Sequence, residues 1–459
     1  MKKVFILLLV LSILYVLIGA VGVFYIHRPQ ESSYRSDHRP SRFYSESIGV
    51  DKALIIEDRI LSAVTRINLI EGAQKSIDLA YYAVHNGVVS DTFYATVFEA
   101  AQRGVKVRLL FDGMFHNLKG LQLSTYEALI SHPNIEIKLY EPLNLLKPWT
   151  LQNRLHDKFL IVDDVYVLIG GRNIGDKYYL EHYDKPVVED RDVFILNSDS
   201  SKYPQSVLSQ FHSYYELLWN HPYSHIKKSR LSHHKGIEAQ QRLVAQLHKT
   251  KEEFPQRFKD PIDWEEYALP TNNITLITNP IARFNKEPHI LMELDAIASQ
   301  SDESIYLQSP YIIPTKRMLS YFSDLQGSPN LHYITNSART SPNPFALSGY
   351  MKYRNKISKN SASLSEYQGL GSIHAKTYLF DKRLSVVGSF NLDARSSFLS
   401  TESMVVIDSV PIAKELITHM NNLTYNSYHH DSEKNTISWT KRVLLRIIQL
   451  LLYPFNHFL

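Results

Sequence analysis

LHDKFLIVD at positions 155–163 and IHAKTYLFD at positions 373–381 are two copies of one pattern, HxKxxxxD. Each copy is followed, after six further residues, by a glycine-led segment, which is GGRN at 170–173 and GSFN at 388–391. A single HxK would carry no information, but two copies with identical internal spacing indicate an internal repeat. The chain is therefore expected to contain two homologous halves.

The histidine and lysine of each copy lie two residues apart, so they point to the same face of a strand. The first pair is His156 and Lys158, and the second is His374 and Lys376. An imidazole beside an ammonium group suits a phosphate diester, because one group can attack phosphorus while the other neutralises an oxygen. The repeat therefore predicts two strands that carry the chemistry of a phosphodiester.

Asp163 and Asp381, which end the two motifs, come seven residues after the histidines and so fall off the His/Lys face. A second apolar run follows each aspartate, which predicts a β-hairpin with the aspartate at its turn. We expect these two aspartates to stabilise turns rather than to transfer protons. Asn173 and Asn391 end the return strands, where they can donate to phosphate oxygens or simply occupy a turn after glycine.

The sequence around the motifs alternates between helical and strand-like patterns, and the same order returns in the second half. Such alternation predicts an α/β layer structure. Helical spacing is found at 61–75, 91–103 and 289–299, and strand-like runs are found at 76–82, 105–111, 304–307 and 331–335.

The composition bounds the possible functions. The chain has 459 residues, 20 of them histidine and none of them cysteine. Without cysteine there are no disulfides, no thiolate metal ligands and no cysteine nucleophile. A hydrophobic fraction of 44% excludes global disorder, and a formal net charge of +4 is too small to indicate a nucleic-acid partner.

An uninterrupted apolar run from Val4 to Ile26 follows two lysines at the N-terminus. A helix of about 20 apolar residues crosses a bilayer core, so residues 1–26 are predicted to be a transmembrane anchor or a signal sequence. The length favours the anchor, because the core of a signal sequence has only about 7–15 residues. Cations flank the run on both sides, so the sequence leaves the membrane face open. Residues 27–52 are polar and are predicted to be a linker.

Two further segments lie outside the repeated halves. Residues 223–270 are predicted to be a basic connector, because 227–259 holds nine Lys or Arg against three acids. This connector is either a solvated surface helix or a contact for anionic lipid headgroups. Residues 431–459 form a tail whose part 441–453 is basic at its start and aliphatic afterwards. The tail either lies in a membrane interface or packs as a last core helix.

The sequence resembles the phospholipase D superfamily, whose members carry two HxKxxxxD motifs, each with a following G-[GS]-x-N. The resemblance covers roughly residues 55–425. The segments 170–179, 388–396, 400–402 and 439–443 look more narrowly like bacterial cardiolipin synthases. The resemblance implies two similar lobes, 53–222 and 271–430, each a mixed β-sheet flanked by helices.

The resemblance also implies one active site shared by both lobes, and the family's motif includes Asp163 and Asp381. One histidine attacks the phosphodiester and forms a phosphohistidine, and the other protonates the departing alcohol. The family's usual order makes His156 the nucleophile and His374 the acid and base.

The remaining site residues follow from the same resemblance. The lysines and asparagines of both motifs would hold the non-bridging oxygens, with no metal or cofactor. A carboxylate is expected behind each histidine, and alignment of the two halves suggests Asp192 and Glu402.

The function implied by the resemblance is transfer of a phosphatidyl group between phospholipids, which makes cardiolipin. Phospholipids and a membrane, expected to be the bacterial inner membrane, are the implied partners. Hydrolysis of phospholipids uses the same residues and stays open. A membrane-tethered nuclease of the same superfamily is the second alternative, which predicts a basic groove with stacking aromatic residues. The oligomeric state is not predicted.

Overall fold

Two α/β lobes pack against each other in the computed structural model of the chain. The structure describes residues 2–29, 32–34, 39–181, 183–184, 186–197, 199–227, 233–255, 258, 262–321, 330–425, 427–429, 438–452 and 458.

Lobe 1 is built on a mixed sheet. Its strands are β1 (Asp51–Ile56), β2 (Ser76–Tyr81), β3 (Lys106–Asp112), β4 (Ile135–Tyr140), β5 (Lys158–Val162), β6 (Tyr166–Gly170), β7 (Val188–Glu189), β8 (Asp192–Asn197), β9 (Ser224–Ile226) and β10 (Leu269–Pro270). The sheet order is β10-β1-β8-β6-β5-β2-β3-β4-β9. The strands β2, β3 and β4 run parallel, as βαβ crossovers require, and the other pairs are antiparallel.

Lobe 2 repeats this sheet almost strand for strand. Its strands are β11 (Asn273–Thr278), β12 (Ile305–Gln308), β13 (Leu331–Asn336), β14 (Ser363–Tyr367), β15 (Ser372–Ile373), β16 (Thr377–Phe380), β17 (Leu384–Gly388), β18 (Ser403–Asp408) and β19 (Ser427–His429). The order β11-β18-β17-β16-β12-β13-β14-β19 matches lobe 1 without β10, and β12, β13 and β14 are again parallel. The predicted fold of two homologous α/β lobes is therefore confirmed.

Helices cover both sheets. They are α1 (Lys2–Leu17), α2 (Val23–Ile26), α3 (Arg59–Gly72), α4 (Val88–Gln102), α5 (Leu123–Ile130), α6 (Asp176–Tyr179), α7 (Val207–Asn220), α8 (His233–Glu253), α9 (Trp264–Tyr267), α10 (His289–Ala298), α11 (Lys316–Leu319), α12 (Pro344–Lys359), α13 (Ala394–Phe398), α14 (Val410–Tyr425) and α15 (Trp439–Leu452). A π-helical turn, Ile18–Gly22, joins α1 to α2.

Each HxKxxxxD motif forms a hairpin, β5–β6 in lobe 1 and β16–β17 in lobe 2. Asp163 and Asp381 begin the two turns with φ angles of 56° and 49°, in the left-handed region that aspartate tolerates better than most residues. The Asp163 carboxylate accepts backbone N–H groups of Gln74, Lys75 and Ser76 at 2.7–2.9 Å. The Asp381 carboxylate accepts three equivalent N–H groups of residues 302–304. Both aspartates thus fasten their hairpin to the start of the neighbouring central strand.

The segment predicted to be a linker, 27–52, is packed on the lobes in its described part. A 3₁₀ turn at Pro40–Phe43 buries Phe43 in the core of lobe 2, and Arg42 pairs with Glu293 at 2.6 Å. Strand β1 already begins at Asp51, two residues before the expected start of lobe 1. The Pro- and Ser-rich composition of 27–52 predicts a tether. The burial of Phe43 is not predicted, because a single aromatic residue gives no periodic signal.

The described part of the predicted basic connector belongs to lobe 1. Helix α8 packs on α4 and α5, and Lys251 lies 2.9 Å from both Glu71 and Glu99. Strand β10 then pairs with β1 at the sheet edge. One of the basic residues counted in this segment therefore neutralises acids of its own lobe. Its Lys228, Arg230, Arg257 and Lys259 lie outside the described residues.

The turn role of the motif aspartates can be tested by replacing Asp163 with asparagine. Asp163→Asn keeps the tolerance for a positive φ but replaces one acceptor oxygen by an amide that faces backbone N–H groups. We expect the free energy of unfolding to fall by about 1–3 kcal/mol in urea titrations. The matched control is Asp164→Asn, at the next turn position with an exposed side chain and φ of 55°, which should change stability by less than about 0.5 kcal/mol. Equal losses in both variants would contradict the assignment.

Candidate active site

The two lobes are joined by backbone pairing beside the two motif histidines. Strand β7 of lobe 1 pairs in parallel with β15 of lobe 2, and the His374 N–H donates to the Glu189 carbonyl at 2.6 Å. On the other side Leu155 bridges to Thr401, whose carbonyl accepts the His156 N–H at 3.2 Å. Each motif therefore begins on a short contact with the opposite lobe, which brings the two histidines to one interface.

Each histidine ring is held by a carboxylate of the opposite lobe. Nδ1 of His156 lies 2.9 Å from both carboxylate oxygens of Glu402, and Nδ1 of His374 lies 2.6 Å from Oδ2 of Asp190. Both carboxylates are completely buried, whereas the histidine side chains keep a small exposed fraction. A carboxylate at Nδ1 fixes the tautomer and leaves Nε2 for chemistry, as in other histidine sites.

The structure corrects the prediction of Asp192 as the carboxylate behind a histidine. Asp192 is buried against Arg66 and Arg172, with N–O distances of 2.8–3.0 Å, and it also accepts the Ser62 hydroxyl. The supporting carboxylate is Asp190, two residues earlier. Because residues two apart share a strand face, the sequence pattern cannot choose between them.

The hairpin register explains the correction. Gly170 pairs with Asp192 in lobe 1, and Gly388 pairs with Met404 in lobe 2. Asp192 and Met404 are therefore equivalent positions in the two lobes. Asp190 and Glu402, each two residues earlier, are equivalent for the same reason. Glu402 lies where the prediction placed it, behind a histidine, but the histidine belongs to the other lobe.

The second residue of G-[GS]-x-N contacts the same carboxylates. The Ser389 hydroxyl donates to Glu402 at 2.5 Å. At the matching position of lobe 1, a Cβ on Gly171 would lie 2.2 Å from Oδ1 of Asp190. Glycine therefore makes room for Asp190, and serine supplies a hydrogen bond to Glu402. The G-[GS]-x-N pattern alone does not reveal this role, because it depends on a contact with a residue of the next strand.

The motif lysines are buried beside the histidines. Nζ of Lys158 donates to the His156 carbonyl at 2.5 Å and lies 5.1 Å from the centre of the Tyr82 ring, and Nζ of Lys376 donates to the His374 carbonyl. Burial lowers the pKa of Lys158 to about 7, although Glu402 opposes the shift. Burial also lowers the pKa of Lys376 to about 8, against the opposing charge of Asp190. Both ammonium groups are poorly solvated, so an entering phosphate is a favourable partner for them.

The two supporting carboxylates are electrostatically unequal. Burial raises the pKa of Glu402 to about 7, although Lys158 opposes the shift. Burial also acts to raise the pKa of Asp190, but His374 and Lys376 outweigh it and hold that pKa below its usual value. Asp190 is therefore ionised at neutral pH, while Glu402 titrates near it. The site is symmetric in backbone and asymmetric in charge.

Burial depresses the pKa of both histidines. For His156 burial and the nearby Lys158 push the pKa well below its usual value. For His374 burial lowers the pKa to about 3, assisted by Lys376 and opposed by Asp190. Both imidazoles are thus neutral at pH 7 in the absence of a ligand, and an Nε2 lone pair is available.

A cavity of about 310 Å³ lies between the lobes and is lined by both histidines. Its other lining residues are Tyr82, Arg154, Tyr311, Ile313, Asn343, Ala346, Asn391, Asp393, Arg395, Ser396, Ser400 and Phe458. Of the predicted site residues, Lys158, Lys376, Asn173, Asp163 and Asp381 are not among them. Arg395 lies in the segment 388–396 that resembles cardiolipin synthases, but its place on the cavity wall, like that of the aromatic residues, comes from the packing of the lobes.

The two motif asparagines are placed differently. Asn391 lines the cavity, whereas Asn173 is buried and donates to the Tyr178 hydroxyl at 3.0 Å. Within the described chain, the amide oxygens of both asparagines are buried without a hydrogen-bond partner. Buried polar atoms are normally paired, so Asn391 has unused hydrogen-bonding capacity at the cavity wall.

The distinct roles of Asp190 and Asp192 can be separated by two matched variants. Asp192→Asn removes the carboxylate that forms ion pairs with both Arg66 and Arg172. It should reduce the free energy of unfolding by about 3–5 kcal/mol, as breaking a buried ion pair does. Asp190→Asn should reduce the free energy of unfolding by less, because the Nδ1–H of neutral His374 can still donate a hydrogen bond to the new amide oxygen. Urea unfolding of both variants gives the order, and a larger loss for Asp190→Asn would contradict it.

Comparisons with known proteins agree with this architecture. The family described as "Cardiolipin synthase, PLD-like domain" matches residues 67–219 and 294–444, which together are more than half of the chain. An uncharacterized protein of Helicobacter pylori (strain ATCC 700392 / 26695) is 28% identical over 427 residues, which cover 84% of this chain and 82% of that protein. Cardiolipin synthase C of Escherichia coli (strain K12) is 26% identical over 397 residues, which cover 78% and 82%.

A solved structure shares the fold of both lobes. The crystal structure of phosphatidylserine synthase from Haemophilus influenzae Rd KW20 matches with a TM-score of 0.62 and 14% identity, over 89% of this chain and 95% of that one. The repeated family match, the paired lobes and the shared histidine site lead to one conclusion. The chain belongs to the phospholipase D superfamily, as a phosphatidyltransferase-like enzyme with two cardiolipin synthase-type domains.

Proposed function

We propose that the enzyme makes cardiolipin by transferring a phosphatidyl group from one phospholipid to a hydroxyl of another, with phosphatidylglycerol as one substrate. The observation that carries the proposal is the pair of histidines on one cavity, each held through Nδ1 by a buried carboxylate. Two such imidazoles fit a double displacement, which needs one nucleophile and one acid or base.

In the first step His156 attacks phosphorus through Nε2, and the P–O bond to the leaving alcohol breaks. His374 must be protonated for this step, because it gives its proton to the leaving oxygen. In the second step His374 takes a proton from the acceptor hydroxyl, whose oxygen displaces His156 from phosphorus. The two lysines and Asn391 hold the non-bridging oxygens while negative charge develops on them.

The unequal carboxylates support this order of the histidines. An imidazolium is stabilised by a neighbouring anion, and Asp190 is the carboxylate whose pKa stays below its usual value. His374 therefore takes up a proton more readily when an anionic substrate arrives. Glu402, with its pKa raised to about 7, gives His156 less of this stabilisation, which keeps its Nε2 lone pair free to attack.

Transfer to a lipid, rather than to water, is supported by the surroundings of the cavity. Ile313, Ala346 and Phe458 add apolar surface to its polar wall. One helical stretch, Lys2–Ile26, is long and apolar enough to cross a membrane. We propose that this helix holds the enzyme at the bacterial inner membrane.

The test is incubation of the full-length enzyme in vesicles with labelled phosphatidylglycerol, with and without phosphatidylethanolamine, and separately with single-stranded DNA. We expect labelled cardiolipin in both lipid reactions, and none with His156→Ala. Labelled phosphatidic acid as the only product would make the enzyme a hydrolase and overturn the proposal. Shortened DNA without lipid product would make it a nuclease.

The pH dependence follows from the buried lysines. Deprotonation of Lys158 near pH 7 and of Lys376 near pH 8 removes the cations that hold the phosphate, so kcat/KM should fall as the pH rises through this range. In Lys158→Arg the guanidinium stays charged. The midpoint of the alkaline fall should therefore move from about 7 to about 8.

The measurement is kcat/KM of a soluble phosphodiester as a function of pH, with Lys202→Arg on the exposed surface as the control. The control should keep the midpoint of the unmodified enzyme. An unchanged midpoint in Lys158→Arg would show that this lysine does not set the alkaline limb.

A further inference from the structure

We propose that three apolar segments around the cavity form one surface that docks on an anionic phospholipid bilayer and sets the cavity mouth against the lipid. The segments are the exposed length of α1, the loop 142–147 and the outer face of α15, and together they are called the docking surface. The proposal concerns how the enzyme sits on its membrane. It is independent of which alcohol accepts the phosphatidyl group.

The end of the N-terminal helix is built into the catalytic fold. Ala20 and Phe24 are buried, and Phe24 packs in the core of lobe 2. The Asn285 side chain donates to the carbonyls of Phe24 and His27 at 2.6 and 2.7 Å, and Gln152 donates to the Ala20 carbonyl at 3.0 Å. The end of the apolar run is therefore packed against the catalytic fold, which ties α1 to the lobes that form the site.

The loop 142–147 lies where α1 leaves the protein. The Tyr15 hydroxyl donates to the Leu146 carbonyl at 2.6 Å. A Cβ on Gly19 would approach Pro148 to 2.8 Å, so the helix and the end of the loop touch. Leu145 and Leu146 are 69% and 80% exposed. Since α1 is apolar and exposed along its length, it lies in the bilayer, and the loop leucines beside it meet the bilayer surface.

Helix α15 presents a second apolar face. Its inner side packs on α12, with Leu445 buried and the Gln449 side chain donating to the Ser348 carbonyl at 2.9 Å. Its outer side exposes Leu444, Leu450 and Leu451. The two alternatives predicted for the tail therefore apply to different faces of α15. Its inner face packs as a core helix, and its outer face is free to lie in a membrane interface.

The charge of α15 identifies the partner as lipid. The helix has no acidic residue, and its Arg442 and Arg446 are exposed, whereas the Lys441 ammonium donates to the Ala338 carbonyl at 2.6 Å. Cations beside an aliphatic face are typical of helices that lie in an anionic interface.

The C-terminal segment contacts Arg395 of the cavity wall directly, and the N-terminal segment is connected to it through Gln152. The Arg395 guanidinium donates to the Phe458 carbonyl at 3.1 Å and to the Gln152 side chain at 3.0 Å. Phe458, which follows α15, also packs its ring 5.7 Å from that of Phe24. The anchor, the tail and the cavity are thus linked through one arginine. A bilayer that holds α1 and α15 lies next to the cavity mouth, so a phospholipid can enter without crossing water.

The first test uses the absence of cysteine in the chain. Single cysteines at Leu146 and Leu450, labelled with an environment-sensitive fluorophore, should report lipid contact when the full-length enzyme is placed in phosphatidylglycerol-containing vesicles. The matched control is a cysteine at Leu217, an exposed leucine of α7 outside the docking surface. We expect brominated phospholipids to quench the labels at 146 and 450 but not at 217. Absence of quenching at 450, or equal quenching at all three sites, would overturn the proposal.

The second test separates docking from chemistry. Leu450→Glu with Leu451→Glu places two acids on the outer face of α15, and Leu217→Glu is the control. We expect the rate on vesicle phospholipid to fall about tenfold, because charge replaces apolar surface in the interface, with the rate on a soluble phosphodiester unchanged. Equal loss on both substrates, or none on vesicles, would overturn the proposal. Loss of cardiolipin as the product, with label quenching intact, would overturn only the proposed function.

Discussion

The exchange of carboxylates between the lobes is the interaction on which the rest of the site depends. Glu402 of lobe 2 holds His156 of lobe 1, and Asp190 of lobe 1 holds His374 of lobe 2. Among the described residues, each motif histidine pairs with a carboxylate of the opposite lobe and not with one of its own. The lobes must therefore pack together before either imidazole is oriented, which explains why two motif copies and one cavity occur together.

The same packing creates the electrostatic state of the site. Bringing the lobes together buries Lys158 and Lys376, so burial lowers the pKa of each ammonium group toward neutrality. A buried cation with little solvent has much to gain from a phosphate, because the interaction between charges is strong where water is excluded. The hairpin turns, fastened by Asp163 and Asp381, hold β5, which begins with Lys158, and β16, which begins directly after Lys376.

The sequence predicted the features that are periodic or duplicated. The two lobes and the hairpins follow from the duplicated pattern, because strand geometry repeats every two residues. The predicted placement of each His/Lys pair on a strand is not what the structure has, since β5 begins at Lys158 and β16 begins at Thr377, after His374 and Lys376. Alignment of the two halves predicts Asp192, and only the hairpin register identifies Asp190 as the position equivalent to Glu402. The exchange between lobes and the role of Arg395 could not be predicted, since both depend on how distant elements pack. The packing of the segment 27–52 is another such case, since it depends on the burial of a single residue, Phe43, in the core of lobe 2.

The central claim is that the two histidines act on one phosphorus in different roles, and a phosphatidyl ester of p-nitrophenol tests it directly. This leaving group departs without a proton, so His374→Ala should release one nitrophenolate per enzyme in a burst and then stop. Mass spectrometry should find the phosphatidyl group on His156, and His156→Ala should show no burst. A burst in His156→Ala with the adduct on His374, or no adduct in either variant, would contradict the account.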